Sequence, residues 1–223
     1  MDMMAIRRRI LLGGKKSRLP SAYQEVEYIE GTGEQYLRTN YIPQRYDEVD
    51  CVFSISSIIN ITRKFKALFS AGAGTYRFIV ILSVNADVDG AYYKYFASGD
   101  AVRFNFYPKT GVKYTISIKN DGEIYCNGYS NVSHYEEDID GQIGQKSLRV
   151  FARPGSGWSS SIFAGKIYSF KITNAITRLN LVPCYRKSDG EIGMYDTVSK
   201  TFYTNAGKGT FLKGADVWET SIS

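Results

Sequence analysis

The sequence predicts an all-β protein, and three observations support that fold class. Aromatic residues make up 14% of the 223 residues and include 18 tyrosines, and tyrosine favours strands because its ring packs on a pleated face while its hydroxyl reaches water. Short runs of alternating apolar and polar residues are broken by Gly, Asn and Asp, as in half-buried antiparallel strands joined by tight turns. One Asp-Gly pair lies between two such runs, which is a strong hairpin signal.

The predicted strands follow one another from Tyr23 onward. The first predicted strand residues flank a turn at Gly31-Thr32-Gly33. Residues 76–84 form an almost unbroken apolar run, which is typical of a buried central strand. Residues 101–107 alternate between apolar and polar, and further strands are predicted at 49–61, 67–70, 148–152 and 163–173.

The clearest hairpin spans residues 112–126. Its first strand places Val112 and Tyr114 on one face together with two isoleucines, and Asn120-Asp121-Gly122 reverses the chain. Ile124 and Cys126 lie on the returning strand. We therefore expect Val112 to share one face with the other apolar residues of its run.

Two segments near the chain ends have the most specific sequences. Residues 19–43 read LPSAYQEVEYIEGTGEQYLRTNYIP, and residues 182–211 read VPCYRKSDGEIGMYDTVSKTFYTNAGKGTF. They resemble the opening and closing strand pairs of the LamG-like branch of the concanavalin A-like lectin and glucanase superfamily, in a form found in gut bacteria and their bacteriophages. The hairpin at 112–126 and the AGKIYSFKI run also resemble segments of that family. The resemblance implies a jelly-roll sandwich of two antiparallel sheets, in which the two end segments lie close together.

The positive charge is concentrated at the N-terminus. The chain has a net charge of +6, and residues 1–18 carry six basic residues against Asp2 alone. We therefore divide the chain into a basic arm (1–18), a sandwich (19–215) and a C-terminal tail (216–223). The near-neutral sandwich does not indicate nucleic-acid binding. The arm is predicted to anchor the protein on a neighbouring subunit through its basic residues Arg7, Arg8, Arg9, Lys15, Lys16 and Arg18.

The sequence shows no recognisable secretion signal or membrane span. After the arginines only three consecutive apolar residues precede two glycines and two lysines, which is shorter than the apolar region of a signal peptide. No run approaches the roughly 18 apolar residues of a membrane helix. The three cysteines, Cys51, Cys126 and Cys184, are odd in number and lack CxxC spacing, so we expect buried free thiols and a cytoplasmic site of synthesis.

No catalytic signature stands out, and the chain is predicted to be a non-enzyme. Acidic residues occupy alternate positions at Glu136, Asp138 and Asp140. In a strand this spacing would place them on one face, as in the strand that carries the acidic residues of a glucanase. The segment ends in Asp rather than Glu, lacks β-branched residues and precedes a glycine, which favours a solvated turn. His134 is the one histidine, and without neighbouring ligands or nucleophiles it indicates neither zinc nor a triad.

A cofactor is not predicted, although one segment partly matches a calcium loop. Asn85, Asp87 and Asp89 precede Gly90, as oxygen ligands do at the start of such a loop. The twelfth position is Phe96, so the bidentate glutamate is missing. An Asp/Gly hairpin turn is the favoured interpretation, with calcium as the alternative.

Candidate binding residues are aromatic. Trp158 and Arg153 lie in a Gly/Ser-rich loop, and Tyr92 and Tyr93 form a second aromatic patch. Amphipathic ligands such as sugars stack on aromatic rings. Packing of Trp158 over a sandwich edge and contact of Trp158 with a protein are the alternatives.

Two functions follow from these observations. In the first, the chain is a structural or attachment protein of a bacteriophage particle, assembled in the host cytoplasm with copies of itself or other virion proteins. The basic arm anchors it, and the sandwich is displayed, with a host-surface glycan as a candidate ligand. In the second, it is a bacterial glycan-binding or adhesion module. A glycoside hydrolase is a distant third.

The acidic turn provides a test of the non-enzyme prediction. Wild-type protein should release no reducing ends from β-glucans or other common polysaccharides, since Glu136 and Asp138 are expected to lie in a solvated loop. Reducing-end assays on the wild type, Glu136→Gln and Asp138→Asn should give the same background. Turnover that either substitution abolishes would contradict the prediction.

Overall fold

The computed structural model describes residues 18–56, 66–71, 77–83, 90–97, 102–104, 108–132, 146–152 and 162–217. Across these ranges the chain forms strands, bridges and turns and no helix, which confirms the predicted all-β class. In the same ranges, accordingly, no helix is long and apolar enough to cross a membrane.

The strands, numbered in chain order, form two antiparallel sheets. The large sheet contains eleven strands within the described ranges: β1 (Tyr23–Glu25), β2 (Ile29–Thr32), β4 (Glu48–Ile55), β9 (Tyr114–Ile118), β10 (Glu123–Cys126), β11 (Tyr129–Val132), β13 (Ala164–Asn174), β14 (Ile176–Arg186), β15 (Ile192–Asp196), β16 (Thr201–Thr204) and β17 (Leu212–Lys213). The small sheet contains six described strands: β3 (Leu37–Arg38), β5 (Lys66–Ala71), β6 (Arg77–Ser83), β7 (Gly90–Ala97), β8 (Val102–Phe104) and β12 (Arg149–Val150).

Strand β13 is the centre of the large sheet. It pairs with β4 along one edge, and β2 and β14 share its other edge. From β4 the sheet continues through β9 and β10 to β11, and from β14 through β15 to β16. The small sheet runs in the order β3, β12, β5, β6, β7 and β8.

The two end segments meet, as the sequence predicted. Strand β1 pairs with the end of β14, and β17 pairs with β2. Between these strands, the amide of Lys208 donates to the carbonyl of Glu34 at 3.0 Å. A Cβ at Gly207 would lie 2.1 Å from that same carbonyl oxygen, so a glycine is needed at this close approach.

The core lies between the sheets and is rich in phenylalanine. Phe69 of the small sheet packs edge-on against Phe170 of β13, with ring centroids 5.1 Å apart. A second group joins Phe151 to Phe163 and Phe211 at centroid distances of 6.0 and 5.3 Å. All five rings are buried, and pairs of this kind add about 0.5–1.5 kcal/mol each beyond their burial.

Some predicted elements differ from those observed. Strand β4 ends at Ile55, short of the predicted 49–61, and residues 57–61 lie outside the described ranges. Val112 is 41% exposed and does not face the core, because Gly111 adopts a φ of 76° and a turn precedes β9. The turn at Gly122, with a φ of 86°, is as predicted.

The cysteines are buried and free, as predicted. Cys51 on β4 and Cys126 on β10 both lie opposite Ile116 of the intervening β9. Two strand spacings therefore separate their backbones by about 10 Å, which is too far for a disulfide. Burial raises the pKa of Cys126 and of Cys184 to about 12, so these thiols stay protonated.

The hairpin between β15 and β16 depends on a buried aspartate. Asp196 is 1% exposed, and its carboxylate accepts hydrogen bonds from the amides of Asn180, Val198 and Ser199 at 2.9–3.1 Å. Removing an acceptor of this kind leaves buried donors unsatisfied.

Asp196→Ala should therefore destabilise the protein by about 2–4 kcal/mol, since several hydrogen bonds to a charged group are lost together. Urea unfolding measures the loss. Asp189 in the preceding turn is the matched control, because its carboxylate binds the exposed Arg186 side chain. Equal shifts for Asp189→Ala and Asp196→Ala would contradict this account.

Candidate functional site

A row of side chains crosses the outer face of the large sheet. The register places Leu212 of β17 opposite Glu30 of β2, Glu30 opposite Lys166 of β13, and Lys166 opposite Ser54 of β4. Directly paired residues of antiparallel strands point to the same face. The row therefore brings together four residues from four strands far apart in the chain.

A pair of tyrosines lies next to this row. Tyr28 immediately precedes β2, and its ring contacts that of Tyr168 edge-on at a centroid distance of 5.3 Å. Both side chains are half-buried. The Tyr28 ring also lies over Gly214, whose missing Cβ would be 2.7 Å from a ring carbon, so this glycine makes room for the ring.

Tyr168 reaches the outer face through a β-bulge. The pairing of β13 with β4 shifts between Ile167 and Ser169, which leaves Tyr168 as the extra residue. Ile167 and Phe170 are both fully buried although they are three positions apart. A bulge of one residue allows both to face the core while Tyr168 faces outward.

Two lysines flank the tyrosines. The ammonium of Lys166 donates to the Tyr28 hydroxyl at 3.1 Å and lies 4.0 Å from Glu30. The Tyr28 hydroxyl, with Glu30 beside it, raises the pKa of Lys166, so this side chain stays charged. The ammonium of Lys113 lies 3.9 Å from the centroid of the Tyr168 ring, in cation–π geometry.

Hydroxyl groups complete the site. The hydroxyls of Ser54 and Tyr168 are hydrogen-bonded at 3.3 Å, and the Ser56 hydroxyl donates to Glu30. An open cleft of about 170 Å³ is lined by Glu30, Ser54, Ile55, Ser56, Thr110, Gly111, Lys166 and Tyr168. Tyr28 and Lys113 lie beside it, in contact with Lys166 and Tyr168. We refer to this feature as the outer cleft.

The described lining of the outer cleft combines one carboxylate with hydroxyl, ammonium and aromatic groups. Among its described lining residues Glu30 supplies the one carboxylate, whereas glycoside hydrolysis uses two. The described part of the chain also contains no cluster of three or more His, Cys, Asp or Glu residues suited to a metal ion. Aromatic faces beside hydroxyl, ammonium and carboxylate groups suit an amphipathic polar ligand.

Most site residues predicted from the sequence lie outside the described ranges. This applies to the Trp158 and Arg153 loop, to the calcium candidate Asn85, Asp87 and Asp89, to the acidic turn Glu136, Asp138 and Asp140, and to the arm residues Arg7, Arg8, Arg9, Lys15 and Lys16. These predictions stay predictions.

The remaining predicted residues can be placed. Arg18 is exposed and forms an ion pair with Glu25 of β1. Tyr92 and Tyr93 lie within β7, opposite Ile81 and Val80 of β6. The sequence analysis predicted an aromatic patch here but no strand. In the structure β7 pairs with β6 on one side and with β8 on the other, so it is an interior strand of the small sheet. A binding role for its tyrosines stays a prediction.

A second polar cluster near the end of β13 is structural. The buried carboxylate of Asp47 accepts hydrogen bonds from the Tyr41 hydroxyl at 2.7 Å, the Gln44 amide at 2.8 Å and the Asn174 side chain at 3.1 Å. Burial raises its pKa in spite of these bonds. The cluster fixes the loop before β4.

Comparisons with known proteins support the fold. No family model and no curated protein matches the chain. A solved structure described as a "putative carbohydrate binding protein" from Bacteroides ovatus aligns with a TM-score of 0.55 at 13% identity, covering 88% of this chain and 62% of that protein. This chain therefore spans less than two thirds of its neighbour. The fold is a concanavalin A-like jelly roll. The heptameric SAP-like pentraxin of Limulus polyphemus aligns at a TM-score of 0.47 and 14% identity, over 67% of this chain and 74% of its own.

The sequence analysis missed the outer cleft. The one available signal was that Tyr28 and Glu30, like Lys166 and Tyr168, are two positions apart in predicted strands. That spacing places each pair on one face. Nothing in the sequence showed that the two pairs would be neighbours, because this depends on the register of β2 against β13.

The Gly214–Tyr28 contact can be tested by a double-mutant cycle. Gly214→Ala should destabilise the protein by about 1–3 kcal/mol, because the new methyl group overlaps the Tyr28 ring. In a Tyr28→Ala background the same change should cost much less, since the ring is absent. Urea unfolding of the four proteins gives the coupling energy. Additive effects would show that the ring does not depend on this glycine.

Proposed function

We propose that the protein is a non-catalytic glycan-binding module whose ligand lies in the outer cleft. The observation that carries this proposal is the Tyr28–Tyr168 pair, whose half-buried rings meet at 5.3 Å beside the Lys166 ammonium and the Ser54 hydroxyl. Sugars present an apolar ring face and a rim of hydroxyls, so they match an aromatic surface edged with hydrogen-bonding groups.

The arrangement favours binding without large conformational change. Each cleft side chain is held by a neighbour: Tyr28 by Gly214 and Lys166, Tyr168 by Ser54 and Lys113. Side chains that are already ordered lose little entropy when a ligand arrives. The fold shared with the Bacteroides ovatus protein, which is described as carbohydrate binding, supports the same function.

The comparisons favour this reading over the virion function. The Bacteroides ovatus neighbour is described as a putative carbohydrate binding protein. Assembly into a virion through the basic arm stays a prediction. Display of a glycan-binding sandwich on such a particle would be compatible with the binding proposed here.

The test compares two tyrosines on the same sheet. Purified protein is screened against immobilised neutral and acidic polysaccharides, and calorimetry is then performed with an oligosaccharide of the best-bound polymer. Tyr168→Ala should weaken binding about tenfold, because an aromatic contact contributes on the order of 1 kcal/mol and the Ser54 hydroxyl loses its partner. Tyr125→Ala is the matched control, since Tyr125 on β10 is 40% exposed and outside the cleft.

Two results would contradict the proposal. Wild-type protein could bind no polysaccharide in the panel. Alternatively, Tyr125→Ala could weaken binding as much as Tyr168→Ala, which would place the ligand elsewhere on the sandwich.

A further inference from the structure

The two lysines at the outer cleft share one carboxylate, that of Glu30, among the described residues. In the part of the chain that the structure describes, no carboxylate pairs with Lys113, whose ammonium contacts the face of Tyr168. Lys166 has Glu30 as its nearest carboxylate, but the 4.0 Å separation is beyond hydrogen-bond distance. Glu30 instead accepts a hydrogen bond from Ser56.

The Lys166 ammonium keeps donors available for a ligand. An ammonium group carries three N–H donors, and within the described residues Lys166 uses one of them, toward the Tyr28 hydroxyl. The described lining of the cleft contains one lysine and one glutamate, whose charges cancel. Lys113, whose ammonium lies on the Tyr168 ring at the margin of the cleft, gives the cleft and its margin together a net positive charge. Its ligand should therefore include a negative group.

The position of that group follows from the strand register. Ser54 lies opposite Lys166 on one side. On its other side is β9, and Lys113 immediately precedes the Tyr114 that pairs with Phe53. Ser54 is therefore flanked by the two lysines. The Ser54 and Tyr168 hydroxyls share one hydrogen bond. Because Ser54 is only 2% exposed and Tyr168 is half-buried, the Tyr168 hydroxyl is the one of the two that a ligand can reach.

Resting on the proposed glycan binding, we infer that the outer cleft selects a saccharide that carries a carboxylate or sulfate group, seated beside the Tyr168 hydroxyl between Lys113 and Lys166. The sugar ring then contacts the Tyr168 and Tyr28 rings. Hydrogen bonds from ammonium groups to such anions are about twice as strong as those between neutral groups. Glu30, at the other side of Lys166, disfavours a second negative group in that direction.

The experiment uses ligands that differ only in charge. Calorimetry with the full chain compares trigalacturonate with its neutral methyl ester, and a carrageenan oligosaccharide with its desulfated form. The first pair tests carboxylate and the second tests sulfate. The charged member of at least one pair should bind tenfold or more tightly than its neutral partner, as expected for charge-assisted contacts.

Matched lysine variants locate the contact. Lys113→Gln and Lys166→Gln should each lower the affinity for the charged ligand about tenfold more than the affinity for its neutral partner. Lys171→Gln is the control, because Lys171 lies farther along β13, opposite Asp50, and does not line the cleft. Circular dichroism and thermal unfolding verify that the variants are folded.

The outcomes separate this inference from the proposed function. Equal affinity for charged and neutral ligands, lost in Tyr168→Ala, would overturn the acidic-ligand inference while supporting glycan binding. The acidic-ligand inference would also be overturned if Lys171→Gln weakened binding of the charged ligand as much as the cleft variants do, or if single-stranded DNA bound as tightly as the charged saccharide. Either result would indicate general attraction to polyanions. No binding of any saccharide would overturn both.

Discussion

The extra residue in β13 is the constraint on which both the core and the outer cleft depend. Strict alternation after Ile167 would turn Ser169 and Lys171 toward the core. The bulge at Tyr168 shifts the alternation by one position, so that Phe170 and Ile172 are buried instead. The cost of one unpaired residue in the ladder is thus offset by burial of two large apolar side chains, each contributing about 1.5–3 kcal/mol.

The inward consequence of the bulge is the contact between the sheets. Phe170 meets Phe69 of β5 only because it points into the sandwich. Ile167 and Ile172 face Phe53 and Val49 of β4 across the ladder. Since β13 is also the strand that joins β2, β4 and β14, its register determines the positions of the strands on both of its edges.

The outward consequence is a binding surface made from ordinary strand residues. Tyr168 emerges beside Tyr28, and the two lysines contact the ring faces. Cation–π contacts at such exposed positions stabilise by only about 0.5–1 kcal/mol each. Their value lies in orientation: they hold the rings and ammonium groups in place, so that the cleft exists before a ligand binds.

The sequence by itself determined the all-β class, the Asp-Gly hairpin, the buried thiols and the meeting of the two end segments. These features are encoded locally, in alternation, in turn residues and in the family-like end segments, and so they can be recognised one segment at a time. The sequence did not show that β7 is a strand, because its tyrosines resemble a surface patch, or that Val112 turns away from the core at Gly111.

Only the tertiary structure decided where the outer cleft lies. Tyr28 and Tyr168 are 140 positions apart in the chain, and their contact depends on which residue of β2 pairs with which residue of β13. A shift of one residue in that register would turn Glu30 and Tyr28 to the opposite face of the sheet. The physical reason is that pairing between distant strands is fixed by packing of the whole core. Within β13, a single bulge reverses the face of the sheet to which each following side chain points.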